Sequence, residues 1–107
     1  MEIYQLIKTS LDATELRSKT IANNIANVNT PNYKRKYVSF EESLSSISEE
    51  PKIEVKVDKS TSIREDGNNV DLENEKVNQA ANTLMYNSLI SITNIKLSIT
   101  KSVISGR

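Results

Sequence analysis

Two long stretches without glycine or proline dominate this sequence, and their length is the strongest constraint on its fold. Residues 2–28 carry apolar side chains at helical spacing, and Ile7, Thr14, Ile21 and Val28 lie seven residues apart, as in a coiled-coil seam. A helix of this length spans on the order of 40 Å. A chain of 107 residues cannot surround such a helix with a globular core, so the helix needs a long partner.

The second long stretch, residues 71–104, predicts that partner helix. Asp71 is a good N-cap, acidic residues follow it in the first turn, and Gly106 suits a helix stop. Apolar residues form two stripes on nearly opposite faces, whereas a helix in a hairpin needs one. We expect the first stripe to pack against the N-terminal helix and the second to contact other copies or other proteins. The first stripe is Val77, Ala81, Leu84, Met85, Ser88, Ile92, Ile95, Ile99 and Val103, and the second is Tyr86, Ile90, Leu97 and Ile104.

The segment between the helices predicts only short elements. Ser39 and Glu42 have the spacing of a capping box, which predicts a short helix ending near Ile47. Alternating apolar residues within 52–58 predict one short strand. Glycine and asparagine in 66–69 predict a turn, because both residues tolerate a positive φ.

The predicted fold class is therefore mainly α. Long N- and C-terminal helices pack as a coiled-coil-like hairpin, and a small irregular middle segment contains a short helix and one short strand. Residues 1–32 comprise the N-terminal helix and a motif turn, residues 33–70 the loop-rich middle, and residues 71–107 the C-terminal helix, which forms one structural unit with 1–32. One strand and one helical turn are too few for the middle to fold alone.

The composition excludes several classes of function. The chain has no cysteine and no histidine, so we expect no thiolate nucleophile, no zinc site of the usual kind and no histidine-based catalysis. We therefore expect no enzyme, no cofactor and no metal. The formal net charge is +0, which argues against a nucleic-acid binder. No apolar run is long enough to cross a membrane, and the N-terminus lacks the pattern of a cleaved signal peptide.

Three asparagines, Asn23, Asn24 and Asn27, occupy the last turns of the N-terminal helix, where better helix formers would be usual. Pro31 disfavours helical geometry at the preceding residue, so we expect the helix to end near 27–29. These amides either cap the helix end locally, or lie buried between subunits and fix their register. The residues alone favour local capping, and the resemblance described next favours burial between subunits.

This stretch resembles the N-terminal signature of the flagellar rod and hook proteins, in which an Asn-Asn-Ile-Ala-Asn core precedes Thr-Pro, a small residue, Tyr and a basic residue. Asn32 stands where that family usually carries glycine, and both residues tolerate left-handed geometry. Residues 66–75 are similar to the segment before the C-terminal helix in short, proximal members of the family. The matching N-terminal positions are Asn23, Asn24, Ile25, Asn27, Thr30, Pro31 and Tyr33.

The resemblance implies a structural subunit of the bacterial flagellar basal-body rod. Its terminal helices would assemble helically, connect the motor ring to the distal rod and transmit torque. The implied partners are other rod subunits, the rod–ring adaptor protein and the export gate, with neither nucleic acid nor a small-molecule ligand. The implied location is the basal body in the periplasmic space, reached through the flagellar type III apparatus without cleavage of a signal. The alternatives are another rod subunit of the family, or a soluble helical-hairpin adaptor or secretion chaperone.

Particular side chains keep two interpretations each. Phe40 and Leu44 either pack locally or, by the resemblance, form the element that early export substrates present to the gate. The basic run 34–36 is interpreted as a solvated turn rather than an anion or lipid site. The residues expected to pack against other subunits or within the hairpin are Leu84, Tyr86, Ile90, Ile92, Ile95, Leu97 and Ile99.

Overall fold

The computed structural model describes residues 2–45 and 50–106 and is mainly α-helical, as predicted. Its elements in chain order are α1 (Ile3–Ala26), β1 (Lys36–Ser39), α2 (Glu41–Leu44), β2 (Glu54–Val57) and α3 (Leu72–Ser105). Helices α1 and α3 form the predicted hairpin, and the short elements lie beside one end of it. The predicted short helix and strand are both present, and a second strand accompanies them.

Contacts along the hairpin show that α1 and α3 run antiparallel. The Tyr4 and Thr100 hydroxyls lie 3.1 Å apart near one end. Asn82 donates its side-chain amide to the Thr14 carbonyl over 2.8 Å further along. The molecule measures 65 × 30 × 14 Å, and its radius of gyration is 17.7 Å. A compact domain of this length would have a radius of gyration of about 13 Å. The chain is therefore a slender hairpin with little interior.

Both predicted ends of α3 are confirmed. The Asp71 carboxylate accepts a hydrogen bond from the Asn74 N–H over 3.2 Å, as an N-cap does. Gly106 ends α3 with φ +74°, the left-handed conformation typical of a C-terminal glycine. Helix α1 ends at Ala26, and Asn27 follows as its C-cap, at the start of the predicted range.

The second strand, β1, was not predicted. Strands β1 and β2 pair antiparallel, with Val38 opposite Val55. Arg17 of α1 donates to the Val38 carbonyl over 3.2 Å, so α1 side chains hold the outer edge of β1. Strand β1 has four residues and one buried position, which is too short for an alternation of apolar and polar residues to mark it in the sequence. Its stability depends on contacts with a distant helix.

The predicted capping box is wrong. Ser39 is the last residue of β1, and Phe40 occupies the N-cap position of α2 without a side-chain cap hydrogen bond. The predicted helix end at Ile47 lies outside the described residues. Arg17 fixes α2 instead, through hydrogen bonds of 2.9 and 2.8 Å to the two carboxylate oxygens of Glu41.

The apolar core is small and lies mostly on α1 and the middle segment. Ile7, Thr14 and Ile21 are buried, which confirms three of the four predicted seam positions, whereas Val28 lies beyond the end of α1 and is half-buried. The buried apolar residues are Ile7, Ala13, Ile21, Val38, Phe40 and Val70. Helix α3 adds no buried apolar side chain to this set. Neither long helix within 2–45 and 50–106 is apolar enough over a sufficient length to cross a membrane.

Candidate assembly surface and helix junction

Asn24 lies at the junction of α1, β1 and α3 and is completely buried. Its amide nitrogen donates to the Lys36 carbonyl over 2.7 Å and to the Glu75 carboxylate over 3.3 Å. Its amide oxygen accepts from the Lys36 N–H over 2.9 Å and from the Tyr33 hydroxyl over 3.1 Å. These four bonds use the whole hydrogen-bonding capacity of the amide. Asn24 therefore joins three elements of one chain.

A buried ion pair extends the junction. The Glu75 carboxylate is 0% exposed and accepts from Arg35 Nε over 2.8 Å. Arg35 also donates to Asp58 over 3.0 Å. Burial lowers the pKa of Arg35, but hydrogen bonds to Glu75 and Asp58 raise it on balance. Burial and the Glu75 charge raise the pKa of the Tyr33 hydroxyl, so this group stays protonated and can donate to Asn24.

Asn68 caps the end of α1 from a distant part of the chain. Its buried amide donates to the carbonyls of Asn27, Val28 and Thr30 over 2.8, 3.1 and 2.8 Å. Arg64 donates to the Val28 carbonyl as well, over 2.7 Å. Carbonyls at a helix end have no partner within the helix and need donors from elsewhere. Sequence reasoning placed Asn68 in a turn and missed this role, although the absence of a C-terminal glycine after α1 was a signal that donors had to come from elsewhere.

The prediction that the asparagines are buried between subunits is wrong for Asn24, which is satisfied inside its own chain. Asn23 is exposed, and its backbone and side-chain oxygens accept from the Asn27 amide over 2.8 and 3.2 Å, which is local capping. Thr30 donates to the Asn27 side chain over 3.0 Å. The amides thus end one helix and hold the following loop.

The other motif residues form the turn. Asn32 has φ +62°, which confirms the predicted left-handed geometry. Gly67 has φ +77°, a conformation that favours glycine, and a Cβ there would lie 2.5 Å from the Asn32 side-chain oxygen and displace it. Pro31 is exposed and Ile25 is half-buried. The tyrosine of the motif, Tyr33, reaches back to Asn24.

The interpretation of 34–36 as a solvated turn is wrong for two of its three residues. Arg35 lies in the ion-pair network, and Lys34 donates to the Gly67 carbonyl. Lys36 is exposed. The run looks like a basic patch in the sequence because its acidic partners are more than twenty residues away.

The face of α3 turned towards α1 is polar. Gln79 and Asn82 donate to the Ser18 and Thr14 carbonyls over 3.5 and 2.8 Å. The buried side-chain oxygens of Gln79 and Asn82 have no hydrogen-bond partner in the described part of the chain. The buried or half-buried positions of α3 lie on one face of the helix, as packing against a single neighbour requires. They are Leu72, Glu75, Asn78, Gln79, Asn82, Leu89, Thr93 and Lys96.

The first apolar stripe of α3 does not face α1, contrary to the prediction, and the second stripe is exposed as well. Leu84 and Ile95, expected to face α1, are 69% and 60% exposed. Ile90 and Leu97, expected to face outward, are 37% and 44% exposed, because they flank the seam formed with α1. Polar residues of α3 occupy the seam with α1, so a prediction based on hydrophobicity alone assigned the wrong face of α3 to this contact.

The result is a long apolar surface, here called the outer face of α3. Its large side chains are all exposed: Val77, Leu84, Met85, Ile92, Ile95, Ile99 and Val103. Tyr86 lies at the edge of the seam and is also partly exposed. An exposed apolar surface of this extent is typical of a protein–protein interface.

The predicted export pair is divided in the fold. Phe40 is buried, and Leu44 is 43% exposed. A receptor can therefore contact both side chains only when this part of the chain is unfolded.

Comparisons with known proteins show the family of this chain. Residues 9–34, which include Asn24 and Tyr33, match the family described as "Flagella basal body rod protein". The flagellar basal body rod protein FlgB of Bacillus subtilis (strain 168) is 36% identical over 119 aligned positions, which cover 95% of this chain and 92% of that protein. The chain belongs to the FlgB family of flagellar basal body rod proteins. The FlgB proteins of Borrelia hermsii and Borreliella burgdorferi are 34% and 29% identical, each over 87% of this chain and 86% of the relative.

Membership of the FlgB family confirms the resemblance found in the stretch from Asn23 to Tyr33. It identifies the chain as a structural rod protein of the flagellar basal body. For a FlgB-family chain, the outer face of α3 is the natural candidate for contact with neighbouring subunits.

Proposed function

We propose that this FlgB-family chain is a subunit of the proximal rod and assembles helically with other rod subunits through the outer face of α3. The observation that carries the proposal is the exposure of this face, which includes Leu84 and Ile95. Helical assemblies form from head-to-tail contacts that do not close, and each contact needs two different surfaces. The outer face is one such surface, and the neighbour it contacts covers apolar side chains that water now surrounds.

The proposed role is to connect the motor ring to the distal rod and to transmit torque. Two long helices packed side by side resist bending better than one, and the junction at Asn24 and Glu75 ties them together at one end. In this role the rod–ring adaptor protein and the export gate are further partners, and the assembled subunit lies in the periplasmic space. Export through the flagellar type III apparatus, without cleavage of a signal, brings it there.

The test compares two substitutions at neighbouring positions of α3. Ile95→Asp puts a charge on the outer face, and Asn94→Asp adds the same charge at an exposed polar position. In cells whose own rod subunit has been deleted, we expect Ile95→Asp to abolish incorporation into isolated basal bodies and motility. Asn94→Asp should support both. Normal incorporation of Ile95→Asp would refute assembly through this face.

The export hypothesis has a separate test. Leu44→Ser changes an exposed side chain, so the fold should be retained. If Phe40 and Leu44 present an export element, the variant protein should accumulate inside cells and fall in the secreted fraction. Glu42→Gln, on the same short helix, is the control. Equal secretion of both variants would exclude Leu44 from export.

A further inference from the structure

The outer edge of β2 is left open by the described residues. The Asp58 N–H donates to the Arg35 carbonyl over 2.8 Å, so these residues form a hydrogen-bonded pair of the antiparallel ladder. The ladder alternates, which directs the backbone groups of Val55 and Val57 away from β1. Within 2–45 and 50–106, neither backbone nor side chains hydrogen-bond to those groups.

The opposite edge of this two-stranded sheet is covered. Asn24 binds both the N–H and the carbonyl of Lys36, and Arg17 binds the carbonyl of Val38. The fold therefore closes the β1 edge with side chains of α1 and leaves the β2 edge as a template for another strand.

We propose that the β2 edge of a second copy of this chain pairs here, antiparallel, with Val55 opposite Val55 of the second copy. In this register Glu54 lies opposite Lys56 of the second copy, and Lys56 lies opposite its Glu54. Ile53 lies opposite Val57. The residues whose backbone groups point outward thus face one another, as an antiparallel ladder requires.

The charges select this register over its neighbours. A shift to the next allowed register in one direction places Lys56 opposite Lys56, and a shift in the other direction places Glu54 opposite Glu54. Like charges directly opposite each other destabilise a pair of strands, and opposite charges stabilise it. Lysine on an edge strand usually prevents pairing. Here the sequence is complementary to itself in one register, which is why the occupant is a second copy.

The side chains agree with the backbone. Val55 lies opposite Val38 in the sheet, so Val55 and Val57 share the face on which Val38 is buried. Val55 and Val57 are nevertheless 48% and 46% exposed. Pairing would place the valines of both copies side by side on that face, and the Glu54 and Lys56 pairs on the other.

This contact is independent of the proposed rod contact. A two-fold strand pairing closes on itself and produces a dimer, whereas rod growth needs contacts that do not close. The dimer is therefore a state of subunits outside the rod, and its interface does not include the outer face of α3.

The first test uses charge. The purified full chain should sediment as a dimer at high concentration. Glu54→Lys alone and Lys56→Glu alone should each sediment as a monomer, because each places like charges opposite one another. An equimolar mixture of the two variants should recover the dimer, because their edges are complementary. A monomeric parent chain, single variants that still dimerise, or a mixture that stays monomeric would each overturn the proposal.

The second test fixes the register. The chain has no cysteine, so Val55→Cys introduces a single thiol. Directly opposed residues of a hydrogen-bonded pair have Cα atoms about 5.5 Å apart, which a disulfide can bridge. Under mild oxidation Val55→Cys should form a covalent dimer many times faster than Lys59→Cys, an exposed position beyond the strand. Equal rates, or a dimer abolished by Ile95→Asp instead, would assign dimerisation to another surface. Circular dichroism confirms that each variant is folded.

Discussion

Asn24 shows how one amide can organise a chain with almost no core. Its donors and acceptors reach β1, α3 and the motif tyrosine at once. Each partner is a polar group that burial would otherwise leave unsatisfied. The helix therefore carries asparagine near its end because the amide connects elements, which a better helix former could not do.

Asn24→Ala should lower the free energy of unfolding by about 2 to 4 kcal/mol, since it leaves the Lys36 backbone groups and the Tyr33 hydroxyl without their buried partner. Urea unfolding followed by circular dichroism measures the change. The control is Asn23→Ala, which removes an exposed amide and should cost well below about 1 kcal/mol. Equal losses would mean that the junction adds nothing beyond local capping.

Glu75 should contribute strongly to stability because its charge is buried and paired with Arg35. Glu75→Gln keeps the shape but leaves Arg35 with Asp58 as its remaining acidic partner. Removing one member of a buried pair typically costs about 3 kcal/mol or more. Glu73→Gln, on the exposed side of the same turn, should change the free energy of unfolding little. If Glu75→Gln leaves the free energy of unfolding unchanged, water screens the charges of the Glu75–Arg35 pair.

Acid should destabilise the fold through two carboxylates. Hydrogen bonds from Ser60, and then the contact with Arg35, hold the pKa of Asp58 below its usual value. Burial raises the pKa of Glu41, but the hydrogen bonds from Arg17 outweigh this and lower it on balance. A carboxylate whose pKa is lowered by folding stabilises the folded state at pH values above its pKa in the unfolded chain, which is about 4. This stabilisation is lost as the pH falls from there through the lowered pKa of the folded state.

Unfolding midpoints between neutral pH and about pH 3 test this expectation. Asp58→Asn should be less stable than the parent chain at neutral pH and should lose less stability on acidification. Asp12→Asn, at an exposed position, is the control. If Asp58→Asn loses as much stability as the parent chain, Asp58 does not contribute to the acid sensitivity.

At the scale of elements, the limits of sequence reasoning are physical. Helical periodicity and caps set by neighbouring residues predicted α1, α3 and their ends, because these signals are local. The face of α3 that meets α1 was not predictable from hydrophobicity, since Glu75, Asn82 and Thr93 occupy it. The position of Asn24 in the motif was evident, but its partners were not.

The same limit applies to the middle segment. Strand β1 exists because α1 supplies hydrogen bonds to its edge, and Asn68 caps a helix some forty residues before it in the chain. No neighbouring residue signals either contact. The turn at Gly67 was predictable, because its requirement for a positive φ is local.

The exposure of the first apolar stripe gives a prediction about stability. Leu84→Asp, on the outer face of α3, should change the free energy of unfolding by less than about 1 kcal/mol. Leu89→Asp places a charge at the half-buried seam and should cost about 2 kcal/mol or more. Urea unfolding of the purified variants measures both. If Leu84→Asp is the more damaging substitution, the outer face is packed within the monomer.

At the scale of the whole molecule, stability is concentrated at one end. Most buried polar and apolar side chains lie around the junction, where α1 ends, the sheet lies and α3 begins, whereas Ile7, Ala13 and Thr14 are buried further along α1. Beyond Asn82 no described position of α3 is buried, although the helix continues to Ser105. Local opening costs little free energy where few side chains are buried.

Amide hydrogen exchange should therefore be graded along α3. Amides in 75–82 should exchange slowly, near the rate set by global unfolding, and amides in 97–105 should exchange much faster. Mass spectrometry of peptic fragments resolves the two regions. Asn24→Ala should accelerate exchange mainly in 75–82, because it loosens the junction without touching the far end. In isolated basal bodies, by contrast, 97–105 should become protected, since neighbouring subunits would cover the outer face there. Uniform exchange along α3 in the purified chain would mean that the polar seam holds the helices together as firmly as the junction does.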